Sequence, residues 1–195
     1  VLTLERAVSL QDYEDFARTF SGIAKAQAVW VWDGRKRSIF LTVAGPGGEV
    51  LAEDGSVITK LKEALRAYGD PFVAFTVKTY RQAFFRLEGT VTIHPDYVSE
   101  TVMAEVTADL QRRYAFEARA FGQPVALSEA MAAIQSIAGV VAVDIDTFAR
   151  NDVPTPAIQP RLIADRPAMG ADGLVPAAEL LLLDPASLTQ LKAMQ

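Results

Sequence analysis

Phe121–Phe148, FGQPVALSEAMAAIQSIAGVVAVDIDTF, is the stretch whose reading decides the fold. It reads as an unpaired connector, a helix, a glycine turn and a strand. Ser128 suits a helix N-cap, because its hydroxyl can accept from an unpaired first-turn N–H. Glu129 just inside that end complements the helix dipole. Ala130, Met131, Ile134, Ile137 and Ala138 then follow the i, i+3, i+4 spacing of a helix with one buried face. Gly139 stands where a left-handed residue stops a helix, so a positive φ is expected there. From Val140 the period becomes two. Val141, Val143 and Ile145 are expected to be buried, with Asp144 and Asp146 accessible on the opposite face. The stretch holds no histidine and no cysteine.

Upstream, Phe84 to His94 alternates cleanly, with Phe85, Leu87, Gly89, Val91 and Ile93 on one face. A helix over about 98–114 would bury Val102, Met103, Val106 and Leu110. With the opening stretch this makes a β-α-α-β module, residues 81–150. Before it, Ser9-Leu10-Gln11-Asp12 begins a helix in the manner of a capping box. Strands over 26–32 and 38–44 flank Asp33-Gly34, a hairpin signal. A helix over 56–68, with Tyr68 inward, leads to a strand over 72–79. That is an α-β-β-α-β module, residues 1–80. The fold class is therefore α+β: two small modules with antiparallel or mixed sheets and helices on one face.

Downstream the periodicity stops. Pro154, Pro156, Pro160, Pro167 and Pro176 remove donors and fix φ. Residues 151–195 read as an extended proline-rich arm. It carries one apolar cassette, Leu180-Leu181-Leu182-Leu183. Covering each leucine is worth about 1.5–3 kcal/mol, so the cassette should dock, on its own chain or on a neighbour.

With 195 residues, half of them hydrophobic, the chain can bury a sizeable core. A formal charge of −5 argues against nucleic acid and anionic membrane as partners. No apolar run approaches the roughly 20 residues that span a bilayer. The absence of cysteine removes disulfides, thiolate metal sites and cysteine catalysis, and fits a reducing compartment. The start on Val-Leu-Thr-Leu, without Met, reads as a fragment of a longer protein or a processed end.

Candidates for chemistry are few. His94 is the single histidine, on the polar side of a strand end, so a two-histidine metal site is impossible. Asp144 and Asp146 share a face and could hold a hard cation, although such alternation equally describes a solvated strand face. Asp152 and Asp165 lie in the irregular arm. Gly45-Pro46-Gly47-Gly48 lacks the Lys-Ser/Thr of a phosphate loop and reads as a turn. Ser128 has no nucleophile-elbow context. Trp30 and Trp32 share one strand face, as core or as aromatic anchors of a subunit contact. Arg112, Arg113, Glu117 and Arg119 read as a solvated surface, with Phe116 and Phe121 pinning the connector. Trp30, Trp32 and Leu180 to Leu183 are the candidate interface residues. No catalytic, cofactor or metal residue is assigned.

FGQPV, the short helix and SIAGVVAVDID resemble the C-terminal part of baseplate J-like proteins, assembly proteins of contractile phage tails and related injection systems. RAVSLQDYEDFARTFSGIAKAQA is similar to that family's entry into a helix, glycine and strand. LVPAAELLLLDP is similar to the tail of its longer, non-phage members. The resemblance implies a non-enzymatic structural subunit in the baseplate wedge between hub and sheath, assembled in the cytoplasm and needing no cofactor. It implies copies of itself and other wedge proteins as partners, with no nucleic acid and no membrane. Two other classes stay open: a small-molecule-binding or regulatory module, and an enzyme using Asp144 and Asp146.

Overall fold

A computed structural model describes residues 9–32, 34, 36–154 and 157–194. Asp33 and Arg35, Pro156 and the first eight residues lie outside the described set, and with them part of the expected hairpin turn and of the family-like opening. The chain divides into two compact units. One is Val1–Arg81 with Asp165–Glu179, the other Gln82–Ala164 with Leu180–Gln195. Residues 151–195 thus form no third body. The arm is shared between the units because its apolar positions complete two different cores.

In the first unit, α1 (Leu10–Thr19) starts on a reciprocal capping box between Ser9 and Asp12. Strands β1 (Lys25–Trp32) and β2 (Arg37–Ala44) pair antiparallel. Helix α2 (Ser56–Tyr68) crosses back to β3 (Phe75–Thr79), which pairs parallel to β2, so the sheet is mixed. Tyr13, Ala17, Ile58, Leu61 and Leu65 of the helices pack on Ile39, Leu41, Val43 and Val77. Tyr68 is exposed rather than inward, in ring contact with Phe16 at 5.8 Å. β3 begins later than expected because Asp70 caps a turn, accepting from Phe72 N–H at 2.8 Å and leaving Phe72 95% exposed. The second face of this sheet is covered by the arm: Ala177 joins Val31 and Phe40, with Val175 packed against them. Ala178 N–H donates to the Thr42 hydroxyl at 3.2 Å.

In the second unit, β4 (Arg81–Ile93) is central and buries every second residue from Ala83 to Ile93. Helix α3 (Ser99–Arg113) and helix α4 (Leu127–Gln135), with β5 (Val125–Ala126) just before α4, lead to β6 (Val140–Arg150), antiparallel to β4. The short β7 (Arg161–Leu162) pairs with β5. On the other flank of β4 lie β8 (Glu179–Leu183) and, after a 3-10 turn, β9 (Leu191–Met194), the latter parallel to β4. The Ser187 hydroxyl accepts from Leu87 N–H at 3.3 Å and fills the gap in the ladder between them.

Two expectations for the opening stretch are corrected here. Ser128 is not the N-cap of α4. Ala126 takes that place without a side-chain bond, because β5 runs straight into the helix and Leu127 N–H is taken by the Pro160 carbonyl at 3.0 Å. Val141 is exposed, unlike Ile145. The β4–β6 register slips between Thr92 and Ile93, so Val141 is the extra residue of a bulge and turns outward. Gly139 has φ +91°, as expected.

Candidate interaction surface

The side chains singled out for chemistry do not converge. His94 is exposed, with its Nδ1 accepting from Asp96 N–H at 3.3 Å, and it meets Tyr97 edge to face. That bond belongs to the turn after β4. Asp144 and Asp146 are accessible, as expected. Among the described residues no cluster of three or more acidic, histidine or cysteine side chains could hold a metal ion. Gly45 to Gly48 form a turn whose last carbonyl accepts from the Tyr80 hydroxyl at 2.6 Å. Asp152 pairs with Arg150 at 3.1 Å, and that hydrogen bond holds its carboxyl below the usual range.

Asp165 has a structural task that its place in the arm hid. It pairs with Arg81 at 2.9 Å, its N–H donates to the Glu179 carboxylate at 3.0 Å, and its carbonyl accepts from Glu179 N–H at 2.9 Å. These bonds pin together the two ends of the segment that covers the first sheet.

The basic residues near the connector are not all a solvated surface. Arg112 and Arg113 are exposed, and both bind the buried Asp109. Arg119 is only 3% exposed. Its guanidinium donates to the Gln123 and Pro124 carbonyls, each at 2.8 Å, and lies 5.7 Å from the Tyr114 ring centre. The chain's own carbonyls replace water around the charge, which is why it can be buried. Burial still pulls the Arg119 pKa down, opposed by the charge of Glu129. Tyr114 is buried, and its hydroxyl lacks a hydrogen-bond partner. Burial, and next the charge of Glu129, push its pKa up to about 12. Phe116 and Phe121 are buried around this cluster. Their flanking of Arg119 was the one sequence signal that this arginine points inward.

Among the candidate interface residues, the two groups part. Leu180, Leu181, Leu182 and Leu183 are all buried in the second unit by their own chain. β8 lies beside β4 at the end of its sheet, and the chain itself covers all four side chains. Trp30 and Trp32 remain on the surface, 36% and 59% exposed. The core under α1 and α2 takes Ala26 and Ala28 of β1 and stops before Trp30. The Arg37 guanidinium lies over the Trp30 ring, 4.4 Å from its centre. Two indoles thus stand at the surface of β1, one of them under a cation from β2.

Residues 5–78 match the family model of the baseplate J-like central domain. Over this stretch the chain is similar to that family. The baseplate J-like match lies on the opening of the chain, whereas the resemblance read from 121–148 pointed to the family's C-terminal part. Beyond residue 78 the likeness is one of fold. A chain in the cryo-EM structure of the anti-feeding prophage (AFP) baseplate, 6-fold symmetrised, is similar to 92% of this chain, with a TM-score of 0.61 and 16% sequence identity. This chain spans 38% of that one. Among curated proteins none matches the sequence.

Proposed function

We propose that this chain is a structural component of the baseplate of a contractile, phage tail-like particle, working through protein contacts and not through catalysis. The family match over residues 5–78 carries this reading. The fold likeness to a baseplate chain over nearly the whole length supports it. So does the character of the side chains, which are committed to packing, to the buried Asp109 and Arg119 clusters and to an exposed tryptophan edge. Within the particle we place the chain in the wedge that links hub to sheath. Its partners there are copies of itself and other wedge proteins, with no cofactor, nucleic acid or membrane required. Assembly takes place in the cytoplasm before the particle is released.

The test is localisation. Particles purified from cells carrying a tagged chain should show the tag at the baseplate end by electron microscopy. Deleting the gene should leave tubes without assembled baseplates. A tag found along the sheath, or intact baseplates after deletion, would overturn the proposal.

A groove favours the second reading, a small-molecule module. It holds about 270 Å³ between Phe84, Gln111, Tyr114, Leu182 and Leu188 in the second unit. Its lining is mostly apolar, whereas a specific small-molecule site needs several convergent polar groups. Thermal-shift screening with small apolar ligands separates the readings, since the baseplate role predicts no stabilisation.

A further inference from the structure

We infer that the groove floored by β3 takes an extended acidic segment of another protein, which adds to the first sheet as a strand beside β3 and sets a carboxylate on Lys78. The inference needs only the first unit and stands apart from the baseplate reading.

β3 ends its sheet, and among the described residues no strand pairs with its far side. The Ala74 carbonyl accepts from Ile39 N–H, and Tyr80 N–H donates to the Val43 carbonyl, both at 2.9 Å. Backbone groups alternate in direction along a strand, so the even-numbered residues between them serve β2. The N–H and C=O groups of Phe75 and Val77 then face away from β2. Such a row is a template for one more strand.

Beside this edge, on the face where Ala177 covers Phe40, lies a groove of about 260 Å³. Thr76 and Lys78 of β3 and Ser38 and Phe40 of β2 form its floor, with Leu174 and Val175 along its wall. Ser38 is only 6% exposed, and among the described residues its hydroxyl has no hydrogen-bond partner. A polar group set so deep is unfavourable until something bonds it. Lys78 is half-buried and, among the described residues, pairs with no carboxylate. The acids of the covering segment are already engaged. Asp165 and Glu179 lie 2.9 and 3.4 Å from Arg81, and Asp172 accepts from Leu174 N–H at 3.0 Å.

These features choose the occupant. A cation without a partner favours an anion, and an unpaired backbone edge favours a peptide over a free small acid. The groove is also smaller than the roughly 300–1,000 Å³ of pockets that enclose a small molecule. Side chains of an added strand alternate between the faces. Its acidic positions lie beside Thr76 and Lys78, and the apolar ones between them lie beside half-buried Phe75 and buried Val77. The partner segment is therefore a strand of alternating acidic and apolar residues.

Binding of dye-labelled, end-capped hexapeptides to the purified chain, read by fluorescence anisotropy, tests this. The acidic probe is Val-Glu-Val-Glu-Val-Thr, and its basic control is Val-Lys-Val-Lys-Val-Thr. The acidic peptide should bind at least about tenfold tighter, and Lys78→Glu should reverse the order. Hydrogen exchange on the unmodified chain gives a readout free of folding defects. The amides of Phe75 and Val77 should gain protection with the acidic peptide and none with hexanoate, a free small acid. Equal binding of the two peptides, or no binding up to about 1 mM, would overturn the inference. So would protection by hexanoate alone, which marks a small-molecule site. Protection that rises with protein concentration in the absence of peptide would overturn it too, because it marks a second copy as the occupant.

Discussion

At the scale of single residues, two backbone positions and one hydroxyl set the tolerances of the second unit. Gly139 has φ +91°, and a Cβ there would sit 2.6 Å from the Tyr97 ring. Gly139→Val meets both objections, conformational and steric, and should lower stability by about 2–4 kcal/mol. Urea unfolding measures this, and a change below about 0.5 kcal/mol would show that the α4–β6 turn relaxes freely. Gly89 faces the second bulge of β6, where a Cβ would collide with the Asp144 carbonyl oxygen. Gly89→Ala should therefore also destabilise, although alanine raises the intrinsic strand preference. Tyr114 supplies the pH dependence. Its folded pKa, about 12, lies above the unfolded value of 10.0. The unfolded chain then loses its proton first as pH rises. The favourable contribution of the protonated phenol is intact below pH 10 and fades as pH climbs toward 12. Tyr114→Phe should flatten that alkaline loss. At pH 7 it should change stability by no more than about 1 kcal/mol, because the deleted hydroxyl has no partner to lose.

At the scale of elements, β8 is the part whose removal should cost most for its length. Its leucines are buried in the β4 sheet, with Leu181 fully covered. Leu181→Ala should cost about 2–5 kcal/mol, the range for a cavity in a packed core. A cost near zero would mean that β8 peels off readily and is held by something other than burial. β4 was legible because its alternation is unbroken from Phe84 to Ile93, and the periodic stripes of α1, α2 and α3 located those helices well. β6 was legible only in part. Alternation assigns Val141 to the same face as Val143 and Ile145, but a bulge inserts one residue and reverses the face locally. Nothing in the side chains from 140 to 146 marks that slip. It arises from how β6 meets β4.

At the scale of the whole molecule, the chain leaves the first unit at Arg81, returns to it at Asp165 and leaves again after Glu179. Residues 165–179 are thus a remote part of the first core. A polypeptide of residues 1–81 alone should expose Val31 and Phe40, bind a hydrophobic dye and lose cooperative unfolding. Supplying 165–179 through a flexible linker should reverse both. If residues 1–81 unfold cooperatively without dye binding, that segment is dispensable cover.

The sequence by itself determined the α+β class and the type of most elements, because periodicity and residue chemistry are local properties. It also determined that four adjacent leucines must be covered, since their exposure is too unfavourable to persist in water. Only the tertiary structure decided what covers them, that Arg119 lies inside among backbone carbonyls, and that Trp30 and Trp32 lie outside. Those outcomes depend on which distant segments meet: the arm against β4, the 123–124 carbonyls against a guanidinium, and a core that ends two residues short of Trp30. Pairing between remote segments is written in no local pattern, so it had to be seen.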